Sequence, residues 1–275
     1  MGRVWPRHGH RGRPLNLVVR PHWPMLRNIL SLALLVASAA SAQSRLPEIR
    51  PGEYVRGRDT GTLTVRRDEK NKLTFEIESL GGNCHSCNVS GVIRGAIGYG
   101  DSWAADGSDS KCEISFSSDR SAVVVRPTSP EECRAYCGAR AAFDGTYRIP
   151  PAGCTTAVRQ VRRDRFLVSY RARHYPEAVN TLQSLLAQCG EFMGWIEIDQ
   201  VRNDLALSQY HKGEFSQCLV TLGTTLAADL KDVEELRAEK GSIYLPPCDF
   251  DNYGLVAKSI LFNKALCTKA MVKER

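Results

Sequence analysis

GTLTVRRDEKNKLTFEIES, residues 61–79, decides how the N-terminal half reads. Leu63 and Val65 alternate with polar neighbours, Asp68-Glu69-Lys70-Asn71 interrupts them, and Leu73, Phe75 and Ile77 alternate again. Side chains on a strand project to opposite faces with period two. Two alternating runs around a turn-forming tetrapeptide therefore predict an antiparallel hairpin with one buried face. The pattern returns downstream, where CEISF (112–116) places Cys112, Ile114 and Phe116 on one face, SSDR makes a turn and AVVVRP (122–127) follows. GYGDSWAADGSDS (98–110) reads as a long loop or hairpin tip. SPEECRAYCG (129–138) reads as a short helix with Ser129 as N-cap, Pro130 at the first position and Glu131 and Glu132 in the first turn. Residues 52–150 are thus expected to form a disulfide-rich antiparallel β-meander or small barrel.

Pro150-Pro151-Ala152-Gly153 breaks this pattern within a linker at 151–157, and the period changes after it. Apolar residues now recur at three and four: Phe166, Leu167, Tyr170; Ala178, Leu182, Leu185, Leu186; Leu205, Leu207, Tyr210; Leu219, Leu222, Leu226. That spacing is helical. SYRARHYPEAVNTLQSLLA (169–187) also repeats at an offset of 40 as SQYHKGEFSQCLVTLGTTLA (208–227), with Tyr170 over Tyr210, Tyr175 over Phe215 and Ala178 over Cys218. Repeats of this size predict stacked helical hairpins.

RARHYPEAVNTL and YHKGEFSQCLVTL resemble the tetratricopeptide repeat around its inter-helix turn, and Gly213, Phe215, Tyr175, Glu177 and Ala178 carry the likeness. Arg173 stands where glycine is usual, Cys218 replaces a small alanine, and the spacing is 40 where the family has about 34. The resemblance implies a tetratricopeptide-like α-hairpin stack over 158–275 with a groove for peptides or protein surfaces, closed by a third partial unit at 253–267. The whole chain is then α+β in two domains. In the N-terminal half, Cys84, Cys87 and Gly91, CEISF at Cys112, and Phe143-Asp144-Gly145 with Tyr147 resemble small Cys-rich secreted β domains of Gram-negative envelope proteins. That likeness implies a lysozyme-inhibitor-type context.

Composition places the chain among globular proteins, at 43% hydrophobic and 24% charged over 275 residues. The net charge of +7 misleads. Residues 1–42 hold six of the 37 Lys and Arg residues and none of the 30 Asp and Glu, so the remainder is near +1. That balance removes the case for nucleic-acid binding. MLRNILSLALLVASAASA (25–42) has a basic start, an apolar run from Ile29 to Ala37 and Ala40-Ser41-Ala42 at its end. It reads as a secretory signal cleaved after Ala42, with Met25 an alternative start and 43–51 a short extension. Its apolar run is too short for the ~20 residues of a membrane span. The expected location is periplasmic or secreted, with no stable membrane insertion.

Ten cysteines, Cys84, Cys87, Cys112, Cys133, Cys137, Cys154, Cys189, Cys218, Cys248 and Cys267, predict five disulfides in an exported chain. Economy of chain keeps each bridge within its own half. Cys84 and Cys87 have the spacing of a redox dithiol, but their surroundings read as β-meander. Haem attachment fails because Asn88, not His, follows Cys87. Cys84, Cys87, Cys133 and Cys137 have zinc-ligand spacing, although an oxidising compartment favours disulfides. His174 and His211 occupy similar places in the two repeats and invite a metal, against the simpler reading of solvated turn residues; His85 likewise reads as a surface residue.

There is no G-x-S-x-G, H-E-x-x-H, Walker loop or G-x-G-x-x-G after a strand. Asp144 belongs to a turn dipeptide, and Asp199 and Asp204 lie near a helix start. No enzyme activity and no cofactor are expected. Trp103, Tyr99 and Trp195 are the aromatic binding candidates. The expected function is an exported protein-binding module of the bacterial envelope, an adaptor using the helical groove and β domain, whose partner is another protein or peptide. Two alternatives stand beside it: a periplasmic inhibitor or immunity protein against a lytic enzyme, and a redox or zinc protein using the Cys pairs.

Overall fold

The computed structural model describes residues 49–101, 112–119, 121–238 and 243–273, all within one compact unit. The segment read as a secretory signal (1–42) and Trp103 lie outside the described residues. Eight strands, β1 (Gly52–Arg56), β2 (Gly61–Arg67), β3 (Leu73–Leu80), β4 (Ser86–Arg94), β5 (Ile97–Gly100), β6 (Glu113–Ser118), β7 (Ala122–Pro127) and β8 (Gly145–Arg148), pair in sequence order, each antiparallel to the next. β8 returns to β1 through Val55 opposite Arg148 and Arg56 opposite Tyr147, which closes the barrel and leaves no unpaired edge.

The β2–β3 hairpin has the expected register, with Leu63 opposite Ile77 and Val65 opposite Phe75. Asp68 fixes its turn by accepting from the backbone N–H of Lys70 and Lys72. All four side chains are buried, with Val89, Ile114, Phe116, Val123, Val125 and Tyr147. Phe75 and Phe116 meet with ring centroids 5.2 Å apart in space left by Gly91 and Gly98. A Cβ on Gly98 would come within 2.4 Å of the Phe116 ring.

Between β7 and β8 the chain makes a cover carrying a one-turn helix, α1 (Pro130–Cys133). Cys87–Cys137 and Cys112–Cys133 staple this cover to the barrel. Ser129 precedes α1 as expected, but its hydroxyl accepts from the N–H of Glu113 instead of capping the helix. FDGTY supplies structure: Phe143 and Tyr147 are buried, and Arg56 Nη1 donates to the carbonyls of Ala142 and Asp144.

Tyr147 Oη donates to the Phe143 carbonyl at 2.6 Å, and burial pushes its phenol up to about 12. An unfolded tyrosine titrates near 10, so the stability tied to the neutral phenol is complete below that pH and lost as pH rises to 12. The loss amounts to about 3 kcal/mol. Alkaline titration followed by circular dichroism is expected to show destabilisation in that window, shallower in Tyr147→Phe.

Five longer helices follow: α2 (Thr156–Arg171), α3 (Tyr175–Cys189), α4 (Trp195–Lys212), α5 (Phe215–Leu222) and α6 (Pro247–Lys273). α2, α3 and α4 share one core around Phe166, Leu182 and Leu205, and α4, α5 and α6 a second around Cys218, Leu222 and Tyr253. The offset of 40 marks two equivalent turns. His174 N–H bonds to the Ser169 carbonyl at 2.9 Å, and Glu214 N–H to that of Gln209 at 2.8 Å. These contacts end α2 and α4 in the same left-handed cap. Gly213 holds the left-handed position in one turn and Arg173, at φ +61°, holds it in the other. Arg173→Gly is therefore expected to stabilise the protein by about 0.5–1 kcal/mol, after allowing for the freer unfolded chain. Its melting temperature checks this.

The expectation of a tetratricopeptide-like stack is overturned beyond these two turns. α5 has only eight residues. Among the described residues of 223–246 there is no α-helix, only a 3-10 turn at Val233–Arg237 where KDVEELRAEK reads as a helix end. The expected third unit is the middle of α6, one unbroken helix of 27 residues packed across α4 and α5. The described residues are α+β as expected, but a closed eight-stranded barrel with six helices replaces the picture of a barrel followed by a repeat stack.

The confinement of bridges to each half also fails. Cys154–Cys189 and Cys218–Cys267 lie among the helices, but Cys84–Cys248 joins the β3–β4 turn to the start of α6. The reason is spatial. Asn83 Oδ1 accepts from the N–H of Cys248 at 3.0 Å and Asn83 N–H donates to Asp249 Oδ2 at 2.8 Å, so that turn is where α6 docks. A second contact sets the β1–β2 connection, Gly57–Asp59, against Gly190–Phe192 after α3.

Candidate functional site

Where the β1–β2 connection meets the helices, a cleft of about 930 Å3 opens between the barrel rim and the starts of α4 and the 224–226 segment. Arg58 and Arg148 form its barrel side, and Glu191, Trp195, Arg202 and Leu226 its helical side. Junctions of this kind are where ligand sites concentrate.

The helical wall is organised by Asp199. This residue is buried one turn into α4, where sequence reasoning sees only a favourable helix-start charge. Asp199 Oδ2 accepts from the Leu226 N–H at 2.8 Å and the Tyr253 hydroxyl at 2.7 Å, and Oδ1 from Arg202 Nη1 at 3.2 Å. Arg202 Nη1 also donates to the Thr224 carbonyl at 2.8 Å, and the Tyr253 hydroxyl accepts from the Ala227 N–H. One carboxylate thus ties down a segment whose own backbone bonds are short turns, Thr224 to Thr221, Thr225 to Leu222 and Ala228 to Thr225. Burial first, and then the hydrogen bond to Asp199, drive the Tyr253 phenol far above its ordinary value, so it stays a donor. Trp195, at the first position of α4, rests half-buried on Tyr253 with ring centroids 4.9 Å apart.

Asp199 is engaged by three donors, and the hydroxyls of Thr224 and Thr225 donate to the carbonyls of Thr221 and Leu222. The lining carries three arginines against two carboxylates: Arg202 is paired with Asp199 and Arg148 sits 3.7 Å from Glu191, so Arg58 supplies the one net positive charge, while Trp195, Ile198, Leu186 and Leu245 supply apolar surface. This arrangement suits an anionic group flanked by an apolar one. Arg58 is held in the left-handed region at φ +59°, a conformation costing a non-glycine residue about 1 kcal/mol, at the lip of this cleft.

Of the aromatic candidates, Trp195 lies in the cleft. Tyr99 lies on β5 with the Arg94 guanidinium 5.5 Å from its ring centre, and is no part of it. The cysteines weighed as zinc ligands or redox dithiol are oxidised and belong to three different bridges: Cys84 with Cys248, Cys87 with Cys137, Cys133 with Cys112. His174 faces Glu177, whereas His211 stacks on Tyr175 at 4.9 Å beside Tyr170 and Tyr210. His174 therefore serves its own turn, whereas His211 packs across from the α4–α5 turn onto Tyr170 and Tyr175 of the α2–α3 turn. His85 lies against Gly138 of the cover.

Asp204 faces Arg163 at 3.9 Å, and burial raises its carboxyl to about 6 against the opposing effect of that cation. Sequence reasoning missed Arg58, Arg148 and Arg202, since the cleft draws on chain segments far apart. The residue with a readable signal was Arg58, in an Arg56-Gly57-Arg58-Asp59 run between two strands.

Among the described residues no helix is long and apolar enough to cross a membrane, and five disulfides are consistent with an oxidising extracellular or periplasmic location. No family model, curated protein or solved structure matches this chain.

Proposed function

We propose that the chain is an exported, non-enzymatic binding protein that receives an acidic, partly apolar segment of another envelope protein in the cleft between barrel and helices. The supporting observation is the placement of Trp195 among three arginines, one of them strained at the lip. Strain at a residue that a glycine would relieve points to a use for the side chain. The cross-linked framework would hold both walls in place before a partner arrives, which limits the entropy lost on association.

A photo-crosslinking amino acid at Leu245, in protein exported through its own N-terminal segment, tests the reading. The expected result is an adduct with a discrete envelope protein. Arg58→Gly should remove it while raising thermal stability, and Trp195→Ala and Arg148→Glu should weaken it by about tenfold or more. An adduct unchanged by all three substitutions would overturn the proposal. A lytic enzyme in the adduct would make the binding inhibitory.

A further inference from the structure

We propose a second interaction surface, independent of the cleft: the outward face of α6 rests on the surface of an anionic lipid bilayer. The inward side of α6 is fixed by Tyr253, Ala257, Ile260, Asn263 and Cys267, all buried at helical spacing. On the opposite side Leu255, Phe262 and Val272 are 77%, 69% and 66% exposed. A helix rises about 1.5 Å per residue, so these three side chains mark a strip roughly 25 Å long. Exposed lysines, Lys258, Lys269 and Lys273, stand along the same strip.

Exposed Asp251 stands one turn before Leu255 at the start of the strip, and from Asn252 to Lys273 the helix carries four lysines and no Asp or Glu. Beside it runs a groove of about 720 Å3 walled by Leu230, Leu261 and Val272, with Lys231 and Lys264 at its edge. The adjoining 229–235 segment brings four acids, of which Glu234 is matched by a cation and two more are turned onto backbone N–H groups of their own segment. Asp232 accepts from the N–H of Glu234 and Glu235, Glu235 from the N–H of Lys231, and Glu234 pairs with Arg237. Asp229 is the fourth.

Apolar side chains interleaved with lysines are what an interfacial helix offers to acidic headgroups. The rings and methyls enter the acyl boundary while the ammonium groups reach back to the phosphates. Charge selects the occupant. A second copy of the chain would bring the same lysines face to face, whereas an acidic bilayer neutralises them. The length of the strip also exceeds what one small ligand covers.

Flotation of the purified, fully oxidised chain tests this, using vesicles of phosphatidylcholine alone and vesicles containing phosphatidylglycerol at about one lipid in three. The protein is expected to float only with the anionic vesicles, and less as salt rises. Removing one lysine, as in Lys258→Gln or Lys269→Gln, should weaken binding about fivefold, and Phe262→Ser about tenfold. These side chains are exposed, so the variants should melt like the parent. Equal flotation on neutral vesicles, none on anionic ones, or flotation indifferent to all three substitutions would overturn the proposal. So would a lipid-free dimer that Phe262→Ser dissociates.

Discussion

Replacing Cys84 and Cys248 with serine is expected to lower the unfolding free energy by about 4 kcal/mol, read from the midpoint of a urea titration. The bridge spans 164 residues, the longest separation of the five. Cross-links limit the unfolded chain in proportion to the logarithm of the loop they close. Cys87–Cys137 and Cys154–Cys189 already shorten this loop by 50 and 35 residues, leaving about 80. The same bridge should yield first to a mild reductant. Cys84 is exposed, whereas in each of the other four bridges at least one sulfur is buried. Mass tagging during a timed reduction should therefore label Cys84 and Cys248 before the others. The docking contacts of Asn83 with Cys248 and Asp249 remain in the double variant, so a marginally stable folded state is expected rather than a separated pair of halves.

Asp199→Ala is expected to cost a similar amount, about 4 kcal/mol. The substitution strips acceptors from a backbone N–H at Leu226, from the buried Tyr253 hydroxyl and from Arg202 in one step. Each buried donor left without a partner costs about 1–3 kcal/mol. Asp199→Asn keeps one carbonyl oxygen and should lose about half as much. The 224–226 wall of the cleft depends on these bonds, so the Ala variant should also change the fluorescence of Trp195, which touches Tyr253. Urea titration with fluorescence and far-ultraviolet detection reads both effects. Coincident loss of stability without a change in Trp195 emission would show that the wall holds without Asp199.

Much of the barrel was legible because its neighbours in space are neighbours in sequence. Leu63, Val65, Phe75 and Ile77 announce a hairpin by alternation, and Asp68 announces its turn. Closure could not be decided between the meander and the small barrel, because Val55 meets Arg148 across the full length of the barrel segment and neither residue carries a pairing signal. The two helical turns were legible through Tyr170 and Tyr210, Ala178 and Cys218. The segment after α5 was not, since its shape is imposed by Asp199 and Tyr253 from elsewhere in the chain. Oxidation of all ten cysteines followed from their number. Their partners did not, because pairing depends on where the β3–β4 turn meets α6. Trp195 was chosen as an aromatic; the arginines around it could be found only once the segments were brought together.

The order of the bridges also bears on how the chain matures. Cys112–Cys133 lies inside the Cys87–Cys137 loop, which lies inside Cys84–Cys248. A chain delivered amino end first into an oxidising compartment presents Cys84 and Cys87 together, long before Cys248 arrives. Oxidation in order of arrival joins these two in a bridge that is not native. Reaching the concentric arrangement then requires thiol exchange through mixed disulfides. Refolding yield in an oxidising buffer is therefore expected to rise when a disulfide isomerase is added.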